Sequence, residues 1–226
     1  MTRYHDATSI VNKLVVAFDI CSSTTILERL KQVDSLGVWR NFLINLKDIV
    51  LGEGDRYTVE VYNFTGDGWI LLFPRDTPTN SAGSFLQRIS ASFHALFQQS
   101  ITPLIGTQIK PVGLTFGIDA GELVGLTMVE KNEYLGRPIN IACRLQACAK
   151  NLEGGPEYKA LFSMNSFNRP MLPEPTLTVK RVMVSLRNVN PPTTECLLFE
   201  TYRIPEVAPR RPRINLAPRS KYRSGL

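Results

Sequence analysis

The sequence predicts an α+β fold, because short apolar runs alternate with longer segments of helical periodicity along its 226 residues. Strands are expected at 13–20, 57–64, 69–73 and 112–118. Helices are expected at 24–51 and 80–99. This βαββαβ order is that of a ferredoxin-like core. A helix at 139–150 and strands near 160–164, 177–186 and 196–204 predict a C-terminal β extension.

The first strand and the first helix rest on apolar patterning. The run VVAFDI is apolar and largely β-branched, which predicts a buried strand with Asp19 at its end. The helix that follows is either continuous or broken at Gly37, and the sequence GEGD at 52–55 ends it. One face of this helix is apolar and is expected in the core: Trp39, Phe42, Leu43, Leu46, Ile49 and Val50.

The next elements are a hairpin, a second helix and a glycine-bearing strand. The tripeptide GDG at 66–68 is typical of a tight turn and places Asp67 between the two hairpin strands. The second helix carries aromatic and aliphatic residues at helical spacing, which indicates a core-facing stripe. In the segment that begins at Phe116, Gly117, Gly121 and Gly125 suit a strand, a tight turn and close backbone packing.

Asp19 and Asp67 are the first candidate functional residues. If their strands are neighbours, the two carboxylates converge, and such a pair is stabilised by a cation between them. Hard divalent ions take oxygen ligands and often share them with substrate phosphates. The alternative is structural, because Asp at a strand end caps helices and Gly-Asp-Gly forms ordinary turns. Ser22, Ser23 and Thr24 are open to the same capping interpretation.

The charge distribution predicts one domain at 1–206 with a basic tail at 207–226. The net charge is +6, but the tail holds six of the 26 basic residues and no acidic residue, so the rest has 20 of each sign. A neutral body makes nucleic acid an unlikely partner. The tail is expected to be a solvated, flexible end, or otherwise to contact a membrane surface, a polyanion or a partner subunit.

Several classes of protein are disfavoured by composition. No apolar run approaches the ~20 residues of a membrane span, and the N-terminus has no secretory h-region. The four cysteines form no CxxC pair, which predicts reduced thiols in a cytoplasmic protein. With only two histidines, a histidine-based metal site or a Ser-His-Asp triad is improbable.

The segment at 116–145 adds a second candidate pair. Asn140 and Arg144 lie four residues apart on a predicted helix, so they share a face, while Ile141 and Leu145 form its apolar side. An amide and a guanidinium on one face suit a ribose oxygen and a pentavalent phosphate. An arginine that merely extends from an amphipathic helix would give the same pattern.

In their order along the chain, these segments resemble the class III nucleotidyl cyclases, the adenylate and guanylate cyclase family. VAFDICSST and FTGDGWILLF resemble its two metal motifs, and GIDAGELVG with YLGRPINIACRL resembles its glycine strand and transition-state helix. The resemblance implies that Asp19, Asp67 and the Ile20 carbonyl bind two Mg²⁺ or Mn²⁺ ions. It also implies that Asn140 orients the ribose and that Arg144 stabilises the α-phosphate. Because the family combines these halves from two subunits, a head-to-tail homodimer is expected.

The base-reading positions depart from the family pattern. Adenylate cyclases carry Lys, and guanylate cyclases Glu, at the position where this chain has Asn63. The second reader falls on Glu133, with Tyr134 as the competing choice. Neither matches a purine pattern, whereas a neutral Asn can donate to and accept from a pyrimidine edge, and Tyr62 or Tyr134 could fill the remaining volume. The chain therefore resembles stand-alone bacterial pyrimidine cyclases of antiphage signalling, with UTP favoured over CTP.

Two other functions stay open at the level of sequence, and one further contact is left undecided. The alternatives are a purine cyclase with unusual base contacts and a catalytically silent regulatory or nucleic-acid-binding module. Arg187 is expected at the β- or γ-phosphate, since the family has a basic residue on a late strand. Three other residues compete for that role: Lys180, Arg181 and Arg203.

Overall fold

The computed structural model describes residues 8–128, 131–152, 158–166 and 177–201. The strands are β1 (Thr8–Ile20), β2 (Glu60–Phe64), β3 (Gly68–Pro74), β4 (Leu114–Met128), β5 (Lys131–Leu135), β6 (Tyr158–Ser163), β7 (Leu177–Ser185) and β8 (Thr193–Thr201). The helices are α1 (Ser23–Gln32), α2 (Leu36–Gly54), α3 (Thr79–Ser100), α4 (Thr102–Ile105) and α5 (Arg137–Asn151). A 3₁₀ turn follows β6 at Met164–Ser166.

The strands described form one sheet in the order β2-β3-β1-β4-β6-β8-β7, with β5 paired to β4. The long β1 lies at its centre and pairs antiparallel with both β3 and β4. The β2-β3-β1-β4 portion, with helices between β1 and β2 and between β3 and β4, is the predicted ferredoxin-like core. The predicted fold class is thereby confirmed, and β6, β8 and β7 form its C-terminal extension.

The core occupies both faces of the sheet because the buried strands are apolar on both sides. Alternate β1 residues, including Val16 and Phe18, face a large cluster that also contains Phe42 of α2 and Phe85 of α3. The opposite face is covered by α5, whose Leu145 packs with aliphatic residues of β6 and β8. The sheet therefore separates a layer formed by α1, α2 and α3 from the single helix that carries Asn140 and Arg144.

Several element boundaries differ from the sequence prediction. The helix expected at 24–51 is two helices, and the break falls at 33–35, where Asp34 has φ of 52°, rather than at Gly37. β2 begins at Glu60, because residues 55–58 form a turn after α2. All three glycines from Gly117 to Gly125 lie within β4, which continues to Met128 on its ladder with β1, so the tight turn considered among them does not occur there.

Two predictions reach beyond the described residues. The last strand begins at Thr193, earlier than expected, and the predicted end at 202–204 lies outside the described chain. The predicted basic tail at 207–226 also lies outside it. Among the helices that the structure does describe, none combines the length and apolar character needed to cross a bilayer.

Candidate active site

Asp19 and Asp67 are brought together at one end of the sheet. Asp19 pairs with Gly68 across the β1–β3 ladder, and the Ile20 amide donates to the Asp67 carbonyl at 3.2 Å. A Cβ on Gly68 would collide with the Phe18 carbonyl oxygen, so the close approach of the two strands requires glycine there. The predicted convergence of the two carboxylates therefore depends on this backbone contact.

The electrostatics of the pair are those of an anionic site with one positive partner. Burial raises the pKa of Asp19 to about 6, and the hydrogen-bonding contact and negative charge of Asp67 add to the rise. Lys150 opposes this effect, because its Nζ donates to Asp19 Oδ2 at 2.6 Å. Burial lowers the pKa of Lys150, but the contact with Asp19 outweighs burial and leaves it above its ordinary value. One ammonium group thus faces two carboxyl groups.

The two serines after β1, which the sequence left open as helix caps, make different contacts. Ser22 precedes α1 with φ of 57° and makes no side-chain capping bond; its Oγ donates to the Pro111 carbonyl at 2.8 Å. Ser23 is buried, and its Oγ donates to Asp67 Oδ2. The first turn of α1 therefore orients the Asp67 carboxylate, a role that the capping interpretation did not include.

The donor set at this corner suits a hard divalent cation. Two carboxylates and the nearby Ile20 backbone provide oxygen donors of the kind that Mg²⁺ and Mn²⁺ prefer. No group of three or more His, Cys, Asp or Glu side chains suited to a metal occurs among the described residues. A cation held here would take its remaining ligands from backbone, water or the phosphates of a substrate.

Helix α5 is held against the sheet by a glycine. A Cβ on Gly117 of β4 would collide with the backbone of Ala142 and Gln146, and Gln146 Nε2 donates to Thr115 Oγ1 at 2.8 Å. The predicted apolar side is confirmed, since Ile141 and Leu145 are buried. The helix is therefore fixed in depth, and its other side is free to present polar groups.

Asn140 and Arg144 lie on that other side of α5. Asn140 is exposed, and Arg144, which is half-buried, donates from Nη1 to the Asn188 carbonyl at 3.1 Å. Arg144 precedes Lys150 by six residues, which places it about 120° around the helix and ~9 Å along it. Within the described chain, neither Asn140 nor Arg144 hydrogen-bonds to Asp19 or Asp67.

The base-reading candidates form a separate corner where β2 meets β5. Tyr62 Oη donates to Glu133 Oε2 at 2.7 Å and accepts the Tyr134 amide at 2.9 Å. The Tyr62 and Tyr134 rings pack edge to face with centroids 5.3 Å apart. A bulge between Val61 and Asn63 shifts the register here, and Asn63 is exposed beside it. The structure thus joins Tyr62, Glu133 and Tyr134 by direct contacts and places Asn63 next to Tyr62 along β2.

The four basic residues considered for the phosphates differ in their surroundings. Lys180 and Arg181 of β7 pair with Glu200 and Glu195 of β8, at 2.8 Å and 3.2 Å. Arg187 is exposed and immediately precedes Asn188, whose carbonyl accepts from Arg144. Arg203 lies outside the described residues. Among the candidates that the structure describes, Arg187 is therefore the one beside the side of α5 that carries Asn140 and Arg144.

Comparison with known proteins shows the fold. No protein-family model and no curated protein sequence matches the chain. A bacterial light-regulated adenylyl cyclase of known structure superposes with a TM-score of 0.65 over 90% of this chain at 16% identity. The adenylyl cyclase CyaB from P. aeruginosa gives 0.63 over 91% at 18%, and the guanylyl cyclase Cya2 gives 0.60 over 88% at 17%.

The extent of these matches differs from one neighbour to the next. This chain spans 56% of the light-regulated cyclase but 98% of CyaB and 96% of Cya2. The chain therefore has the fold of adenylyl and guanylyl cyclase structures. At 16% to 18% sequence identity, the similarity is one of fold.

Proposed function

We propose that this chain is a nucleotide cyclase, a phosphorus–oxygen lyase that converts a nucleoside triphosphate into the 3′,5′-cyclic monophosphate and pyrophosphate. The observation that carries the proposal is the meeting of Asp19 and Asp67 at adjacent strand ends. It occurs on a fold shared with adenylyl and guanylyl cyclases. We assign the catalytic domain to residues 1–206, with 207–226 as an accessory tail, in a cytoplasmic protein.

The metal-binding residues would be Asp19, Asp67 and the Ile20 carbonyl, holding two Mg²⁺ or Mn²⁺ ions. Such ions lower the pKa of a ribose 3′-hydroxyl and neutralise a triphosphate. The chain's own contribution is to orient the carboxylates. Ser23 does this for Asp67 by hydrogen bonding, and the Gly68 contact fixes the distance between the strands.

The phosphate-binding and ribose-binding residues would come from α5. Arg144 presents a planar guanidinium to the charge that develops on the α-phosphate, and Asn140 presents an amide to the ribose. Arg187, beside Arg144 through Asn188, would reach the β- or γ-phosphate. Because Asn140 and Arg144 do not contact the aspartates of their own chain, we propose a head-to-tail homodimer in which each site combines two subunits.

The base-binding residues support a pyrimidine nucleotide, which would make the enzyme a uridylate cyclase. Asn63 is neutral, so it can read the carbonyl or amino edge of a pyrimidine. Tyr62 orients Glu133, and the Tyr62 and Tyr134 rings occupy volume beside it. At N3 the Glu133 carboxylate can accept from uracil but not from cytosine, whose N3 is itself an acceptor and whose donor is the N4 amino group. This difference favours UTP over CTP.

The biological role that we propose is the synthesis of a second messenger in bacterial antiphage defence. It rests on the motif resemblance to stand-alone pyrimidine cyclases and on the absence of a purine pattern at Asn63 and Glu133. The product, a cyclic pyrimidine nucleotide, would act on a separate receptor protein.

The deciding experiment supplies the purified chain with equimolar ATP, GTP, CTP and UTP and Mn²⁺ and identifies the products by mass. A cyclic pyrimidine product is expected, and the same assay on Asp67→Ala is the blank. A cyclic purine would keep the reaction and refute the base assignment. A folded dimer that forms no cyclic product would refute the cyclase assignment in favour of a silent module.

A further inference from the structure

Lys150 donates a hydrogen bond to one carboxylate of the candidate metal site, and the proposed reaction gives it no role. Its Nζ lies 2.6 Å from Asp19 Oδ2, at the position where a cation would bind that oxygen. Two cations cannot share one carboxylate oxygen at such short range without strong repulsion. The inference below rests on the proposed function only in taking Asp19 as a ligand of the divalent ion.

We propose that Lys150 is a built-in competitor of the divalent cation. In the metal-free chain its ammonium group occupies the cation position at Asp19, and it leaves when the metal enters. Lys150 thereby weakens the binding of a free metal ion and stabilises the unloaded site, where two carboxylates would otherwise repel each other.

The geometry allows this exchange without movement of the backbone. Lys150 is in the last turn of α5, and its side chain is 41% exposed, whereas that of Asp19 is 17% exposed. The lysine stem is flexible and has solvent to move into, and the ion pair is open enough to be of modest strength. Because Gly117 fixes α5 against β4, the side chain alone must move.

The other groups around Lys150 support the same role. Asp67 and Cys21 also act on it electrostatically, but Asp19 provides its hydrogen bond. Ser23 already contacts Asp67, so the lysine is matched to Asp19 rather than to the pair as a whole. Once displaced, the ammonium remains beside the corner that a metal-bound triphosphate would enter. Lys150 therefore weakens the binding of a metal–nucleotide complex less than it weakens the binding of a free metal ion.

The test measures binding of Mn²⁺ alone to the full chain, using the electron paramagnetic resonance signal of free Mn²⁺ and no nucleotide. Lys150→Gln is expected to bind Mn²⁺ about tenfold more tightly than the natural chain, because one adjacent positive charge is removed. Lys150→Arg keeps the charge and is expected to stay within about twofold of the natural chain. Lys150→Met, which keeps the stem, should behave like Lys150→Gln and guards against a folding defect in either variant.

Asp19→Asn supplies the control for location, since it should remove the gain that Lys150→Gln produces. Equal or weaker Mn²⁺ binding by both neutral variants would overturn the proposal. So would a gain that persists in the Asp19→Asn background. Neither result depends on turnover, so failure of this inference is distinct from failure of the cyclase assignment, which the product assay decides.

Discussion

The corner formed by Asp19 and Asp67 and the polar side of α5 differ in how many of their polar groups have hydrogen-bond partners in the same chain. At the corner, Asp67 accepts a hydrogen bond from Ser23, and Asp19 accepts one from Lys150 of the same chain. On α5, Asn140 is exposed, and among the described residues Arg144 hydrogen-bonds to one carbonyl, that of Asn188. Both carboxylates of the corner have partners within the chain, although one positive charge faces two acids, while the α5 side presents donors to which an anion can bind.

This difference explains how the chain can keep a reactive site stable before assembly. Two half-buried carboxylates at close range are stabilised by a positive partner, and Lys150 provides one in the isolated chain. An exposed amide and guanidinium are hydrated and need none. In the proposed dimer these two halves would join across chains, and the following experiments test them separately.

The largest expected effect is loss of turnover on removing one carboxylate. Asp67→Asn should lower kcat by at least about a thousandfold, because the cation loses a charged ligand. The protein should remain folded, as the Asn amide still accepts from Ser23. Asp76→Asn, on the exposed loop after β3, is the matched control and should leave kcat unchanged. Steady-state assays with the preferred nucleotide measure both, and an active Asp67→Asn enzyme would contradict the metal assignment.

Mixing two inactive variants tests whether the halves come from different chains. Asp19→Ala and Arg144→Ala damage opposite halves, so each heterodimer retains one intact site. An equal mixture should recover about a quarter of the natural activity, since half of the dimers are mixed and each has one working site. Asp19→Ala mixed with Asp67→Ala damages the same half twice and should recover nothing. Equal recovery in both mixtures, or in neither, would refute the shared site.

A smaller effect is expected at the base corner. Tyr62→Phe removes the hydroxyl that orients Glu133 but keeps the ring, so kcat/KM for the pyrimidine should fall about tenfold, the effect of losing a hydrogen bond to a charged group. Discrimination between UTP and CTP should fall with it. Tyr57→Phe, whose ring packs on Phe85 in the core, is the control and should change neither. Unchanged discrimination in Tyr62→Phe would separate Glu133 from base recognition.

The smallest expected effect is on stability without metal. The folded state binds a proton at Asp19 more tightly than the unfolded state, since the pKa is raised to about 6. The free energy of unfolding contributed by this group therefore falls as pH rises from about 4 to above 6. In EDTA at pH 7.5, Asp19→Asn should be more stable than the natural chain by about 1–2 kcal/mol. Urea titrations at pH 4.5 and 7.5 measure it, and a larger gain at pH 4.5 would contradict the sign.

The sequence was most informative where local chemistry and tertiary position agree. VVAFDI predicts a buried strand, and a buried strand is what delivers Asp19 to the sheet end. The Gly-Asp-Gly turn predicted the β2–β3 hairpin, and the four-residue spacing of Asn140 and Arg144 predicted their common side of α5. In each case a short pattern determines both the element and the direction of the side chain.

The features that were missed depend on contacts between distant segments. Lys150 meets Asp19 across 131 residues, and Tyr62 meets Glu133 across 71, so no local spacing marks either pair. The break at 33–35 has no glycine to signal it, because Asp34 itself adopts the left-handed conformation. β5 was not predicted, since its sequence KNEYL is mostly polar and its pairing comes from β4.

The glycine at 117 has a consequence for how such a protein can diversify. Because α5 touches the backbone of β4 there, the helix has no room to slide or tilt when neighbouring side chains change size. The proposed base contacts on β2 and β5 lie outside this fixed junction and could be exchanged one residue at a time. A lineage could therefore acquire a new nucleotide without rebuilding its catalytic machinery.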